Sequence, residues 1–231
     1  MIPGQTSNSA TAWLVRHGQS EANADRPVHD FAAVPLTELG IQQANLFAER
    51  FDALSTKPPT LIVQSPYLRA RETAQPLRTR FPQVPVETWP IQEFTYLDPR
   101  EVTGFTDTQR RPFYERYWQP NDPAYCDGGG AESFTNFLHR VREMLSRLSQ
   151  LPPGERVVVF THGYVMQAVR LLVLFPGLSD REMMSRSRIL NDAEPIPNTG
   201  IIELQIADGV VEALGQEHIT PLTLEGVLSH E

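Results

Sequence analysis

A chain of 231 residues with 40% apolar side chains and 14 glycines lies in the usual ~45–50% apolar range of globular domains once glycine is counted. Intrinsic disorder is therefore excluded as its main state. Twenty-eight acidic against 20 basic residues give a formal charge of −8, so a dedicated nucleic-acid binder would need a local basic stripe. Arg71, Arg78 and Arg80 read as helix-surface residues and do not form one. Cys126 is the sole cysteine, which excludes an intramolecular disulfide and a thiolate metal cluster. The opening MIPGQTSNSATAWLV has neither the basic region nor the long apolar run of a signal peptide. The most apolar later stretch, Ala168–Phe175, contains Arg170 and falls far short of the ~20 residues that span a bilayer. The expected location is the cytoplasm, with no membrane partner.

Strands and helices alternate along the chain. Ala12–Val15 reads as the first strand. Leu36–Leu54 follows as a helix with Leu39, Leu46, Phe47, Phe51 and Leu54 near helical spacing. Thr37 can cap it, and Gly40 costs its interior about 1 kcal/mol relative to Ala. Thr60–Gln64 is a strand, after which Ser65-Pro66 suits the N-cap and first position of a helix ending near Pro82. Val84–Thr88 is the next strand. From Asp98 to Gly130 the chain carries Phe105, Phe113, Tyr114, Tyr117, Trp118 and Tyr125 among prolines and glycines. That irregular, aromatic segment is either a cap inserted over a site or a piece with a small core of its own. Glu132–Gln150 is an amphipathic helix, Arg156–Thr161 a strand, Gly163–Leu174 a helix apolar on most sides, and Gly200–Ile206 and Val210–Ala213 the last strands. The alternation implies an α/β fold: a mostly parallel central sheet flanked by helices on both faces, with residues 94–131 as an insertion.

Two strand ends share one grammar. Leu14-Val15 runs into Arg16-His17-Gly18, and Val157–Phe160 runs into Thr161-His162-Gly163. In open α/β sheets, ligands bind outside the carboxyl ends of the strands. Gly18 and Gly163 let backbone approach a ligand closely, and a helix N-terminus favours an anion. An Arg-His-Gly tripeptide arises by chance in roughly one or two per cent of chains this long, and a buried His is commonly a hydrogen-bonded core residue. Two such pairs at strand ends weigh against that plain reading. A third strand end adds Arg69 in the first turn of a helix, so that Arg16 and Arg69 offer forked donors suited to phosphate oxygens. His29, His139, His218 and His230 show no metal-ligand spacing, and no metal site is indicated. The Gly128–Gly130 run lacks the Lys-Ser/Thr of a P-loop.

Arg16 through Asn23, Pro35-Leu36-Thr37-Glu38-Leu39-Gly40 with Gln43-Ala44, Ser65 through Ala74, and Thr161-His162-Gly163 together resemble the histidine phosphatase superfamily, in its phosphoglycerate mutase-like branch. Asn198-Thr199-Gly200 fits more loosely. The resemblance implies covalent catalysis without metal or cofactor. His17 would be the nucleophile, Arg16, Arg69 and His162 would hold the phosphoryl oxygens, and Asn23 would be a further phosphate ligand. The leaving alkoxide needs a proton, and Glu93 matches the family's acid position, with Glu132 the runner-up. Glu132 could equally be a first-turn glutamate favoured by the helix dipole.

Mutases of this branch resemble one another in a long basic insertion after the acid. Here Arg110-Arg111-Pro112-Phe113-Tyr114-Glu115 and a run of aromatics stand instead, which favours a phosphatase acting on small phosphorylated metabolites and releasing inorganic phosphate. A phosphoglycerate mutase-type phosphotransferase, a phosphoprotein phosphatase and a non-catalytic phosphate- or partner-binding module are the alternatives. Sheet edges of such a fold can also pair into a homodimer.

Overall fold

The computed structural model describes residues 9–55 and 57–213; His218 and His230 lie outside them. In chain order the elements are β1 (Ala10–Arg16), α1 (Glu38–Leu54), β2 (Leu61–Gln64), α2 (Leu68–Arg80), β3 (Val86–Thr88), α3 (Pro99–Val102), α4 (Asp107–Trp118), α5 (Phe134–Ser149), β4 (Arg156–Thr161), α6 (Gly163–Leu174), α7 (Asp180–Ala193), β5 (Ile201–Ala207) and β6 (Val210–Ala213). The strands form one sheet in the order β3-β2-β4-β1-β5-β6. The first four run parallel, while β5 and β6 are antiparallel to their neighbours. The mostly parallel α/β sheet flanked by helices is thus as expected, with β5 and β6 its antiparallel strands.

Successive strand residues serve opposite faces, and both faces are covered. Leu14, Val63, Val157 and Val159 pack with α5, α6 and α7 through Phe137, Leu138, Val165 and Met183. Val15, Ile62, Val158 and Phe160 pack with α1 and α2 through Phe47, Phe51, Ala74 and Leu77. Burial on both sides explains why these strands read as continuous apolar runs instead of alternating. Each fully buried Phe is worth about 1.5–3 kcal/mol, more than Gly40 costs its helix, so burial decides that α1 forms. Among the described residues no helix is long and apolar enough to cross a membrane.

Three local readings are corrected. Ser65 does not cap α2; the cap position is Tyr67, and the Ser65 hydroxyl instead accepts from the Tyr67 N–H and meets His162. Residues 98–130 are not irregular throughout, because α3 and the 12-residue α4 run through them. Thr106 and Gln109 form a reciprocal capping box that starts α4. Nor does this segment keep a core of its own. Phe94, Tyr117 and Trp118 are continuous with Phe134 and Phe137 of α5 in the main core. Helix α7 adds an element to those expected from the sequence, and Ser179 and Glu182 carry the same capping signal at its start.

Candidate active site

His17 and His162 follow the ends of β1 and β4, two adjacent parallel strands in which Arg16 pairs with Thr161. The register puts both imidazoles at one rim, with ring centroids 5.2 Å apart. The backbone of His17 is fixed on two sides. Its N–H donates to the Thr161 carbonyl at 3.0 Å, and its carbonyl accepts from Asn198 Nδ2 at 2.9 Å. Asn198-Thr199-Gly200 therefore acts as a brace behind β1, with Thr199 in the left-handed region at φ 57°.

Gly18 and Gly40 explain each other. A Cβ on Gly18 would lie 2.6 Å from the Gly40 carbonyl, and one on Gly40 would lie 2.0 Å from the Gln19 carbonyl. The loop after β1 thus rests directly on the backbone of α1, which is why the helix tolerates a glycine. The Gly18 N–H donates to Thr73 Oγ1 at 3.0 Å, so it is committed to the protein and stands behind the cavity. Gly163 likewise does not line it; a Cβ there would come within 4 Å of Arg16 Nε and Glu93 Oε2.

The tautomer of His17 follows from its partners. Nδ1 sits 2.7 Å from the Gly18 carbonyl, an oxygen that can only accept, so Nδ1 carries the proton. Nε2 then holds the lone pair, and Arg69 Nε donates to it at 3.2 Å. Burial, followed by the charges of Arg69 and Arg16, holds the His17 pKa well below the ordinary imidazole value. The same causes, burial first and then Arg69, depress His162. His162 Nε2 is 2.7 Å from Ser65 Oγ, while its buried Nδ1 has no protein partner.

The cations are anchored from the frame. Arg69 NH1 donates to the Phe31 carbonyl at 2.9 Å and its guanidinium lies 5.0 Å over the Tyr67 ring. Arg16 NH1 donates to the Ile196 carbonyl, and its Nε is buried without a protein partner. Asn23 Oδ1 accepts from Ser20 and from Asn198, which leaves the amide nitrogen as its group for a ligand. Glu93 closes the ring of residues. Its Oε1 accepts from the Phe94 and Tyr164 N–H groups at 3.0 and 3.2 Å, and so caps α6, whose N-cap side chain makes no such bond. Burial raises its pKa, outweighing the opposing effects of Arg69 and the Phe94 N–H.

These side chains surround a cavity of about 220 Å³. Arg16, His17, Asn23, Arg69 and Glu93 line one end, and Phe94, Tyr96, Leu97, Val102 and Tyr164 supply an apolar wall. His162, its ring beside that of His17, is fully buried and is not among the lining residues. Arg110 of α4 also lines the cavity, held 3.0 Å from Asp107 and over the Phe31 ring. Sequence reasoning gave Arg110 no role, since nothing in its local pattern told it apart from Arg111.

Glu132 is not at this cavity. The N-cap of α5 is Ser133, so Glu132 precedes the helix instead of lying in its first turn. It holds Arg140 by two bonds, of 2.7 and 2.8 Å. Among the described residues no group of three or more His, Cys, Asp or Glu could hold a metal ion.

The buried neutral histidines carry a pH consequence. Their folded pKa values lie below the unfolded value of ~6.5, so the unfolded chain binds more protons beneath it. Their contribution to stability is complete above pH ~6.5 and declines as the pH falls through that value. An NMR titration of ring nitrogens is expected to show His17 holding its Nδ1–H tautomer from pH 8 down past ~6.5. A midpoint near 6.5 for His17 would contradict the assignment.

A family model described as the histidine phosphatase superfamily (branch 1) matches residues 12–211. A metal-independent phosphoserine phosphatase of Arabidopsis thaliana is 28% identical over 162 residues, covering 69% of this chain and 67% of its own. Phosphoglycerate mutase-like protein 4 of the same plant is 27% identical over 197 residues, covering 85% and 79%. The solved structure of YhfR from Bacillus stearothermophilus superposes with a TM-score of 0.70 at 22% identity, over 91% of this chain and 98% of its own. That last likeness speaks for the fold alone.

Proposed function

The chain belongs to branch 1 of the histidine phosphatase superfamily, and from that premise we propose that it hydrolyses small phosphomonoesters through a phosphohistidine at His17, without a metal ion. The observation that carries this reading is the imidazole itself. Nδ1–H is tied to the Gly18 carbonyl, so the Nε2 lone pair faces the Arg69 guanidinium across 3.2 Å. A neutral, fixed imidazole is a competent nucleophile at neutral pH.

In the first step Nε2 attacks phosphorus in line. The N–P bond forms, the ester P–O bond breaks, and the carboxyl proton of Glu93 passes to the departing oxygen. Arg16, Arg69 and the Asn23 amide, which line the cavity, hold the equatorial oxygens, where charge is concentrated in the transition state. In the second step the Glu93 carboxylate takes a proton from water, whose oxygen attacks phosphorus. The N–P bond breaks, the lone pair returns to Nε2 and inorganic phosphate leaves. Burial raises the Glu93 pKa, the direction the first role requires. We read residues 94–131 as the cap that shapes the leaving-group end, because Phe94, Tyr96, Leu97 and Val102 supply its apolar wall. A cavity of about 220 Å³ suits a small leaving group.

The mutase-like relative raises transfer to a second hydroxyl, which would use the same phosphohistidine. Rates on p-nitrophenyl phosphate and on a simple alkyl phosphate, with wild type and Glu93→Gln, test the reading. Wild type is expected to release phosphate from both, with or without a chelator. In kcat/KM, which reports the first step and not the later attack of water, Glu93→Gln should lose about 10²- to 10⁴-fold on the alkyl ester and far less on the nitrophenyl ester, whose leaving group needs no proton. Equal losses on both would sink Glu93 as the acid. Chelator sensitivity, or phosphate passing to an added alcohol much faster than to water, would sink the metal-free hydrolase.

A further inference from the structure

The segment that carries Glu93 belongs to no strand or helix: residues 89–96 have no regular structure between the end of β3 and α3. Ladder hydrogen bonds therefore do not fix the backbone of the acid, and its carbonyls need other partners. Thr161 Oγ1 donates to the Ile91 carbonyl, and one side chain serves three of the others. Arg140 of the rigid helix α5 donates from NH1 to the Gln92 carbonyl at 2.6 Å and the Pro90 carbonyl at 3.3 Å, and from NH2 to the Glu93 carbonyl at 3.4 Å. The guanidinium is 4.9 Å over the Phe137 ring, and the residue is only 8% exposed. Its remaining donors are taken by both carboxylate oxygens of Glu132. Glu132 also touches the segment directly, since its N–H donates to the Thr95 carbonyl at 2.8 Å.

We propose that Glu132 and Arg140 form a clamp that positions the acid: they are positioning residues for Glu93, although neither lines the cavity. The proposal rests on the hydrolase reading with Glu93 as proton donor. A guanidinium that grips the Pro90, Gln92 and Glu93 carbonyls sets where the Glu93 side chain starts. The bidentate carboxylate sets the plane of that guanidinium, a task for which the forked geometry matters more than the charge. The far end of Glu93 is held by the Phe94 and Tyr164 N–H groups, so backbone and carboxylate are each fixed. Displacing a reacting group by about 1 Å costs on the order of 10²-fold. That loss should fall on the step the acid assists and spare the attack by His17.

The test is a double-mutant cycle read on two leaving groups. Glu132→Gln, which keeps an acceptor beside Arg140, is expected to lose about 10- to 100-fold in kcat/KM, which reports the acid-assisted first step, on an alkyl phosphate. Its loss on p-nitrophenyl phosphate should be at least about tenfold smaller. Arg140→Lys keeps the charge but cannot span the three carbonyls, and should show the same split. In a Glu93→Gln background, where no acid remains to be placed, Glu132→Gln should add under about threefold on either ester. A purely structural clamp would instead lower both esters alike and add its full loss to Glu93→Gln, and either result overturns the proposal. If Glu93→Gln shows the leaving-group split and Glu132→Gln does not, the clamp alone falls. If Glu93→Gln shows no split, the acid assignment falls and takes the clamp with it.

Discussion

Replacing His17 by alanine is expected to lower kcat for phosphomonoester hydrolysis by about 10⁴- to 10⁶-fold, the scale on which removal of a covalent nucleophile acts. The reason lies in the division of labour at the rim. Arg16, Arg69 and Asn23 would still bind a phosphoryl group. No second imidazole is free to take its place, however: His162 is fully buried, with Nε2 committed to Ser65. The variant should therefore still bind inorganic phosphate as a competitive ligand, with kcat falling far more than affinity. Steady-state rates and phosphate inhibition on one preparation check this. A His17→Ala enzyme that keeps a tenth of wild-type turnover would remove His17 from the chemistry.

The second large effect is expected at Arg69. Arg69→Gln should lower kcat/KM by about 10³-fold, within the range for loss of a preorganised charged donor. Arg69→Lys should recover little of it. Burial pushes the Arg69 pKa down to about 10, yet that still leaves the guanidinium charged at neutral pH. What a lysine cannot copy is the fork. Nε reaches His17 while NH1 holds the Phe31 carbonyl and the plane stacks on Tyr67. Initial rates on p-nitrophenyl phosphate suffice as the measurement. Full recovery by lysine would mean that Arg69 acts only as a charge.

How far the sequence foretells this site depends on how local each cause is. His17 and His162 are legible because a strand end followed by His-Gly fixes direction and place at once, and the parallel register of β1 and β4 then brings the two together. Thr37 is legible as a cap because its side chain acts three residues away, on the Gly40 N–H. Ser65 misleads for the opposite reason. Its hydroxyl looks like a cap in sequence, but its partner His162 is 97 residues distant. Glu132 fails in the same manner. A glutamate before a helix is chemically a fair acid, and only the fold reveals that its carboxylate is turned to Arg140. Gly40 reads as a cost within α1 until the backbone of Gln19 is found resting on it. The segment 98–130 hides its helices because aromatic and proline content obscures the period of α4, whose buried apolar residues Tyr117 and Trp118 sit together at one end. Capping signals at Thr106 and Ser179 were the local clues to α4 and α7.

The most direct test of the account is to mix the enzyme with a phosphomonoester radiolabelled at phosphorus, quench in alkali within a turnover, and map the label by peptide. An acid-labile, alkali-stable label is expected on the peptide carrying His17, lost in His17→Ala and independent of added chelator. Rapid turnover with no label on His17, or with the label on another residue, would contradict it.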